Sequence, residues 1–105
     1  MVKTQVSQIA ELIRNACHPK KIILFGSQAR GTATQTSDFD IMVILDQITD
    51  RRQEIVKLSR LIKPLGIRAD IVVVSEKTFS EWCDTPGSLY YEAAQEGRII
   101  LDEAA

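Results

Sequence analysis

The hydrophobic and polar positions of the chain alternate between two periods, which predict helices and strands in turn. Apolar residues spaced three and four apart indicate helices with one buried face. Runs of four or five apolar residues, rich in branched types, indicate buried strands. The sequence predicts four helices: a first carrying Val6, Ile9, Leu12, Ile13 and Ala16 and ending before Pro19; a second capped by Asp50 and ending at Pro64; a short third capped by Ser75 with Phe79 and Trp82; and a fourth over Leu89–Glu96, closed by Gly97.

Four strands are predicted between these helices, over Lys21–Phe25, Asp38–Leu45, Arg68–Ser75 and Arg98–Leu101. The segment between the second and third strands holds a helix and is long enough for a parallel crossover. The link between the first two is shorter and polar, which favours an antiparallel return. We therefore expect an α/β (α+β) fold with a mixed sheet flanked by helices, formed by residues 1–105 as a single domain.

The composition argues against a general nucleic-acid-binding protein and against a membrane protein. Thirteen basic residues against fourteen acidic ones give a net charge of −1, so no general attraction to nucleic acid or to an anionic membrane is expected. The apolar runs are too short to span a bilayer, and the N-terminus lacks the apolar core of a signal peptide. A cytoplasmic protein is the resulting expectation. In that compartment Cys17 and Cys83 are expected to be thiols rather than a disulfide.

Two aspartates open the second strand. Asp38 and Asp40 lie on one face of that strand, because side chains two apart in a strand point the same way. The two carboxylates repel each other because they carry the same charge. Both faces of the strand become apolar within a few residues, so the carboxylates also lie beside a surface that removes water from them. A bound divalent cation would remove the resulting cost.

The predicted topology brings further polar groups to the same edge of the sheet. Gly26 ends an antiparallel neighbour, and Asp70 stands near the start of a parallel one. Carboxylates with room for water suit Mg²⁺ that also holds phosphates, and the Gly26-Ser27 turn offers backbone N–H groups to phosphate. Asp70 could instead be an edge acid paired with Arg68. Two readings of Arg30 stay open: it could bind phosphate, or it could brace the loop through an acid.

These residues resemble the nucleotidyltransferase superfamily that includes DNA polymerase beta. The shared pattern is Phe25-Gly26-Ser27, ten residues, Asp38-Phe39-Asp40-Ile41, and then Asp70. The longer form, Gly26-Ser27-Gln28-Ala29-Arg30-Gly31, is similar to the minimal nucleotidyltransferase (MNT) branch. The pattern as a whole is specific, whereas a bare Gly-Ser or a bare Asp-x-Asp would be a weak signal.

The resemblance implies roles for these residues. Asp38 and Asp40 would bind two Mg²⁺ ions, Asp70 would complete the first metal site, and Gly26 and Ser27 would hold the β and γ phosphates, with Arg30 as a further nucleotide-binding candidate. The reaction would transfer AMP from ATP to a hydroxyl. MNT proteins are commonly antitoxins paired with a HEPN toxin whose tyrosine they adenylylate, which implies a HEPN partner and a hetero-oligomer.

Two other functions stay open at this point. The chain could neutralise a toxin by masking it without catalysis, since it has no length for a separate acceptor domain. It could also transfer a nucleotide to a small molecule, as aminoglycoside and lincosamide nucleotidyltransferases do, although those have more chain to enclose a drug. Trp82, Tyr90 and Tyr91 could stack on a base, but core or interface packing is favoured for them.

Overall fold

The computed structural model describes residues 5–26 and 38–103, and within these ranges helices and strands alternate along the chain. In chain order the elements are α1 (Gln5–Cys17), β1 (Lys21–Phe25), β2 (Phe39–Leu45), α2 (Arg51–Ile62) followed by a 3-10 turn (Lys63–Leu65), β3 (Ala69–Ser75), α3 (Glu76–Trp82), α4 (Leu89–Glu96) and β4 (Arg98–Asp102). The predicted elements in these ranges are confirmed, with bounds shifted by a residue or two. The sequence also suggests one helical turn over residues 27–31, which lie outside the described residues.

The four strands form one sheet in the order β3-β2-β1-β4. β1 pairs antiparallel with β2 and with β4, whereas β2 and β3 are parallel. The mixed sheet and its α+β class are thus confirmed. The parallel pair is possible because α2 carries the chain back along the sheet between β2 and β3.

One face of the sheet packs against α1 and α2. Ile9 and Ile13 of α1 and Leu58 and Ile62 of α2 are at most 1 % exposed. They meet a set of strand residues that share this face: Ile22, Leu24, Ile41, Val43, Leu45, Ile71 and Val73. This face holds the larger part of the core.

The other face is covered by the two short helices α3 and α4. Ala93 of α4 is buried there, with Phe79 of α3 and Tyr90 of α4 packed beside it. The strand residues on this side are Ile23, Phe25, Met42, Ile44, Val72 and Val74. β2 is therefore buried on both faces, which explains why its apolar run from Ile41 to Leu45 does not alternate with polar residues.

Three helices begin at a side-chain N-cap, and two of these caps, Asp50 and Ser75, are the ones that the sequence predicts. The Asp50 carboxylate accepts a hydrogen bond from Gln53 N at 3.1 Å, and Ser75 Oγ accepts one from Thr78 N at 3.1 Å. Ser88 Oγ does the same for Tyr91 N at 3.0 Å. Each cap satisfies a backbone N–H that has no partner within its own helix.

Gly97 closes α4 for a different reason than the sequence predicts. Its φ is −74°, so it does not adopt the left-handed conformation that favours glycine at a helix end. A Cβ at this position would instead overlap Ala93 O and Ile23 Cγ2. Glycine is required here because the chain turns from α4 into β4 directly against the sheet.

Cys17 and Cys83 are free thiols, as predicted, and both are half-buried. Cys17 ends α1, and its Sγ donates to Ile13 O at 3.4 Å. In the described part of the chain, no helix combines the length and the apolar character that a membrane crossing needs.

Leu58→Ala should lower the free energy of unfolding by about 2–5 kcal/mol, because it removes a side chain that is 0 % exposed between α2 and the sheet. Val56→Ala, on the same helix but 41 % exposed, is the matched control and should change it by less than about 0.5 kcal/mol. Urea unfolding followed by circular dichroism measures both values. Equal losses in the two variants would contradict the packing described here.

The Cys17 thiol should react slowly with iodoacetamide. Burial raises its pKa from 9.0 to about 11, the negative charge of Glu54 adds to this, and Lys57 opposes it. In a Cys83→Ser variant, the alkylation rate should keep rising about tenfold per pH unit beyond pH 9. The unfolded thiol ionises first, so the stability that neutral Cys17 contributes is present below pH 9 and is lost as the pH rises towards 11. An alkylation rate that levels off below pH 9 would contradict this environment.

Candidate active site

The parallel pairing of β2 and β3 sets Asp40 directly opposite Asp70. The register runs from Phe39 beside Ala69 to Leu45 beside Ser75, with Asp40 and Asp70 as the second pair. Neighbouring strands lie about 4.8 Å apart, and residues paired in register place their side chains on the same face. The two carboxylates therefore share one face at the end of the sheet where both strands begin.

Gly26 comes to the same place from the antiparallel side. Phe25, the last residue of β1, pairs with Asp40, so Gly26 follows directly beside the carboxylate. A Cβ at Gly26 would overlap Asp40 Oδ2 and lie 3.1 Å from Asp40 Cγ. Gly26 also has a φ of +75°, which side chains disfavour. Both the backbone conformation and the close approach therefore require glycine at this position.

Asp38 lies one residue before β2. Phe39 N donates to Arg68 O at 2.9 Å, so the pairing of the two chains starts at this point. Asp38 and Asp40 are both half-buried, and Asp70 is exposed. The desolvation expected for the first two acids is therefore partial, and mutual repulsion is the stronger reason for a cation to bind there.

The acids share their face with the apolar residues beneath α3 and α4. Asp40 continues the row of Met42 and Ile44, and Asp70 continues the row of Val72 and Val74, as strand alternation predicts. The site thus lies where the α3–α4 layer gives way to the polar edge of the sheet. The suggested pair between Asp70 and Arg68 is not formed, because within the described ranges the Arg68 guanidinium has no ion-pair partner.

The donor set can be compared with what Mg²⁺ requires. Over residues 5–26 and 38–103, no three His, Cys, Asp or Glu side chains are grouped closely enough to hold a metal by themselves. Mg²⁺ is usually bound by one or two carboxylates together with waters and substrate phosphates, rather than by a cage of protein ligands. The in-register Asp40 and Asp70 fit that requirement, and Asp38 is the adjacent third acid.

Other candidates from the sequence have separate positions. Ser27 and Arg30 lie outside the described residues. Tyr90 packs in the core beneath the sheet, and Trp82 is 49 % exposed at the end of α3. Arg68 lies beside Asp38 in the extended register of β2 and β3, which the sequence alone does not define.

Known proteins are similar in sequence to most of this chain. A family model described as "Nucleotidyltransferase domain" matches residues 5–101. MJ0604 of Methanocaldococcus jannaschii, a candidate protein adenylyltransferase by its name, is 36 % identical over 81 residues, which cover 77 % of each chain.

Solved structures share the fold. A toxin–antitoxin complex named MntA-HpeT aligns with a TM-score of 0.68 at 21 % identity, covering 92 % of this chain and 73 % of that one. A tri-AMPylated Shewanella oneidensis HEPN toxin in complex with its MNT antitoxin gives 0.62 at 20 % identity, covering 93 % and 70 %.

The chain belongs to the nucleotidyltransferase domain family, since the family model spans nearly its whole length. It is therefore a nucleotidyltransferase enzyme, and the solved MNT antitoxin complexes share its fold.

Gly26→Ala should disturb Asp40 as well as the backbone. The matched control is Gly66→Ala, because Gly66 has a similar φ of +72° but no atom within 4 Å of an added Cβ. We expect a loss of about 1 kcal/mol for Gly66→Ala and at least about 1 kcal/mol more for Gly26→Ala, measured by urea unfolding.

A second mutation tests the contact between Gly26 and the Asp40 carboxylate separately from the backbone conformation. In an Asp40→Ala background, which removes the carboxylate, Gly26→Ala should cost about as little as Gly66→Ala does. An unchanged cost of Gly26→Ala in that background would show that Asp40 does not press against Gly26.

Proposed function

We propose that the chain transfers AMP from ATP, with Mg²⁺, to a hydroxyl of a partner protein, a tyrosine of a HEPN toxin being the favoured acceptor. The observation that carries this is the placement of Asp40 between Asp70 and the Gly26 turn. Such an edge can hold a metal-bound phosphate chain on one side and receive a hydroxyl on the other. The names of the relatives support an acceptor of this kind.

In this proposal the residues of the edge have different roles. Gly26 lets the backbone approach the phosphates closely, because no Cβ intervenes. Asp38 and Asp40 hold the metal-bound phosphates, and Asp70 orients the attacking hydroxyl and accepts its proton. Ser27 and Arg30 are further phosphate contacts proposed from the motif. The hydroxyl oxygen bonds to the α-phosphorus, the bond to the bridging oxygen breaks, and pyrophosphate leaves.

Asp38, Asp40 and Asp70 are the residues that would hold Mg²⁺, as two ions by resemblance. Bound there, Mg²⁺ would neutralise phosphate charge and polarise the phosphoryl oxygens. The three carboxylates repel one another without a cation, and this repulsion favours binding of the metal together with the nucleotide.

Asp40→Asn should reduce AMP transfer by about 100-fold or more, because a metal ligand in such a site contributes several kcal/mol of charge stabilisation. The control is Asp46→Asn, an exposed aspartate just beyond the opposite end of β2. The measurement is transfer of label from α-³²P-ATP with Mg²⁺ to a HEPN partner protein encoded beside the gene. Labelling should persist in Asp46→Asn and disappear when EDTA is added.

Two outcomes would contradict the proposal. Labelling that survives Asp40→Asn would show that this edge of the sheet does not take part in AMP transfer. Full rescue of toxin-expressing cells by an Asp38→Asn, Asp40→Asn double variant would show that masking, rather than transfer, neutralises the partner.

A further inference from the structure

Arg68 lies at the same edge as the three acids. Its carbonyl accepts the hydrogen bond from Phe39 N at 2.9 Å, which extends the β2–β3 ladder one step beyond Ala69. Continuing the register by that step places Arg68 beside Asp38. Arg68 also precedes Asp70 by two residues, so strand alternation puts both side chains on one face, with their Cα atoms about 6.6 Å apart.

The surroundings of Arg68 leave its charge available. The residue is exposed, and within the described ranges its guanidinium has no ion-pair partner, although Asp38 and Asp70 flank it on the same face. Arg98 is another arginine at this end of the sheet. It pairs with Leu24, whose side chain belongs to the α1–α2 face, so Arg98 lies on the side away from the acids.

The charge balance of the occupied site favours an added cation. Three carboxylates and the four negative charges of ATP exceed the four positive charges of two Mg²⁺ ions. A guanidinium on the same face reduces the excess, and its planar fork donates two parallel hydrogen bonds to phosphate oxygens.

The strand order indicates which phosphate is within reach. The leaving pyrophosphate of the proposed reaction lies beside Gly26, at the β1 side. Arg68 is two strands away, about 9.6 Å across the sheet, with the β2 acids between them. The α-phosphate lies between the leaving group and the attacking hydroxyl, and is therefore the phosphate closer to β3.

We infer that Arg68 is a nucleotide-binding residue that holds the non-bridging oxygens of the α-phosphate at the β3 side of the site. This inference rests on the proposed function, and it adds a contact from a strand that carries no part of the Gly-Ser motif.

The test is calorimetric titration of the full chain with α,β-methylene-ATP and Mg²⁺. Arg68→Ala should weaken binding by about tenfold or more, the effect of losing charge-assisted hydrogen bonds. Arg68→Lys, which retains charge but not the fork, should lie between this variant and the wild type. Arg98→Ala, the matched control at the same end of the sheet, should bind as the wild type does. Inorganic pyrophosphate, which has no α-phosphate, should bind wild type and Arg68→Ala alike.

Three results would overturn the inference. If Arg68→Ala binds the ATP analogue with wild-type affinity, Arg68 does not contact the α-phosphate. If Arg98→Ala loses as much affinity as Arg68→Ala, the effect of Arg68 is only general electrostatic attraction. A parallel loss of pyrophosphate affinity would assign Arg68 to the leaving group. Failure of the wild-type chain itself to bind the analogue would defeat the proposed function as well, which distinguishes that failure from the other three. Unfolding midpoints confirm that each variant is folded.

Discussion

The parallel register of β2 and β3 is the constraint on which the candidate site depends. It sets Asp40 opposite Asp70, and a shift by one residue would turn one of these carboxylates to the opposite face. The register is held by the core, since β2 is buried on both faces and β3 contributes Ile71 and Val73 on one side and Val74 on the other. The positions of the acids are thus stabilised by apolar packing several residues away from them.

β1, the antiparallel neighbour of β2, adds a second constraint on the position of Asp40. Gly26 meets Asp40 with no room for a side chain, so the end of β1 and the start of β2 limit each other. Glycine is therefore required both by the turn and by the close approach of the chain to Asp40. This explains in physical terms why a Gly-Ser pair and an Asp-x-Asp pair occur together, although ten residues separate them in the sequence.

Much of this arrangement could be predicted from the sequence, because the signals are local. Asp50 and Ser75 are polar residues placed before apolar periodic stretches, and both cap helices as predicted. The mixed topology followed from the length and pattern of two connections. Register was harder to predict, because it depends on packing between strands that are distant in the chain. The reason for Gly97 could not be found either, since Ile23, which it contacts, is more than seventy residues away.

A crystal structure of the chain with Mg²⁺ and a non-hydrolysable ATP analogue would show directly whether the acids hold the metal and the phosphates. We expect an ion about 2.1 Å from a carboxylate oxygen of Asp40 and from a phosphate oxygen, with Asp38 and Asp70 beside it. Nucleotide bound elsewhere, or carboxylates turned apart with no ion between them and the phosphates, would contradict it.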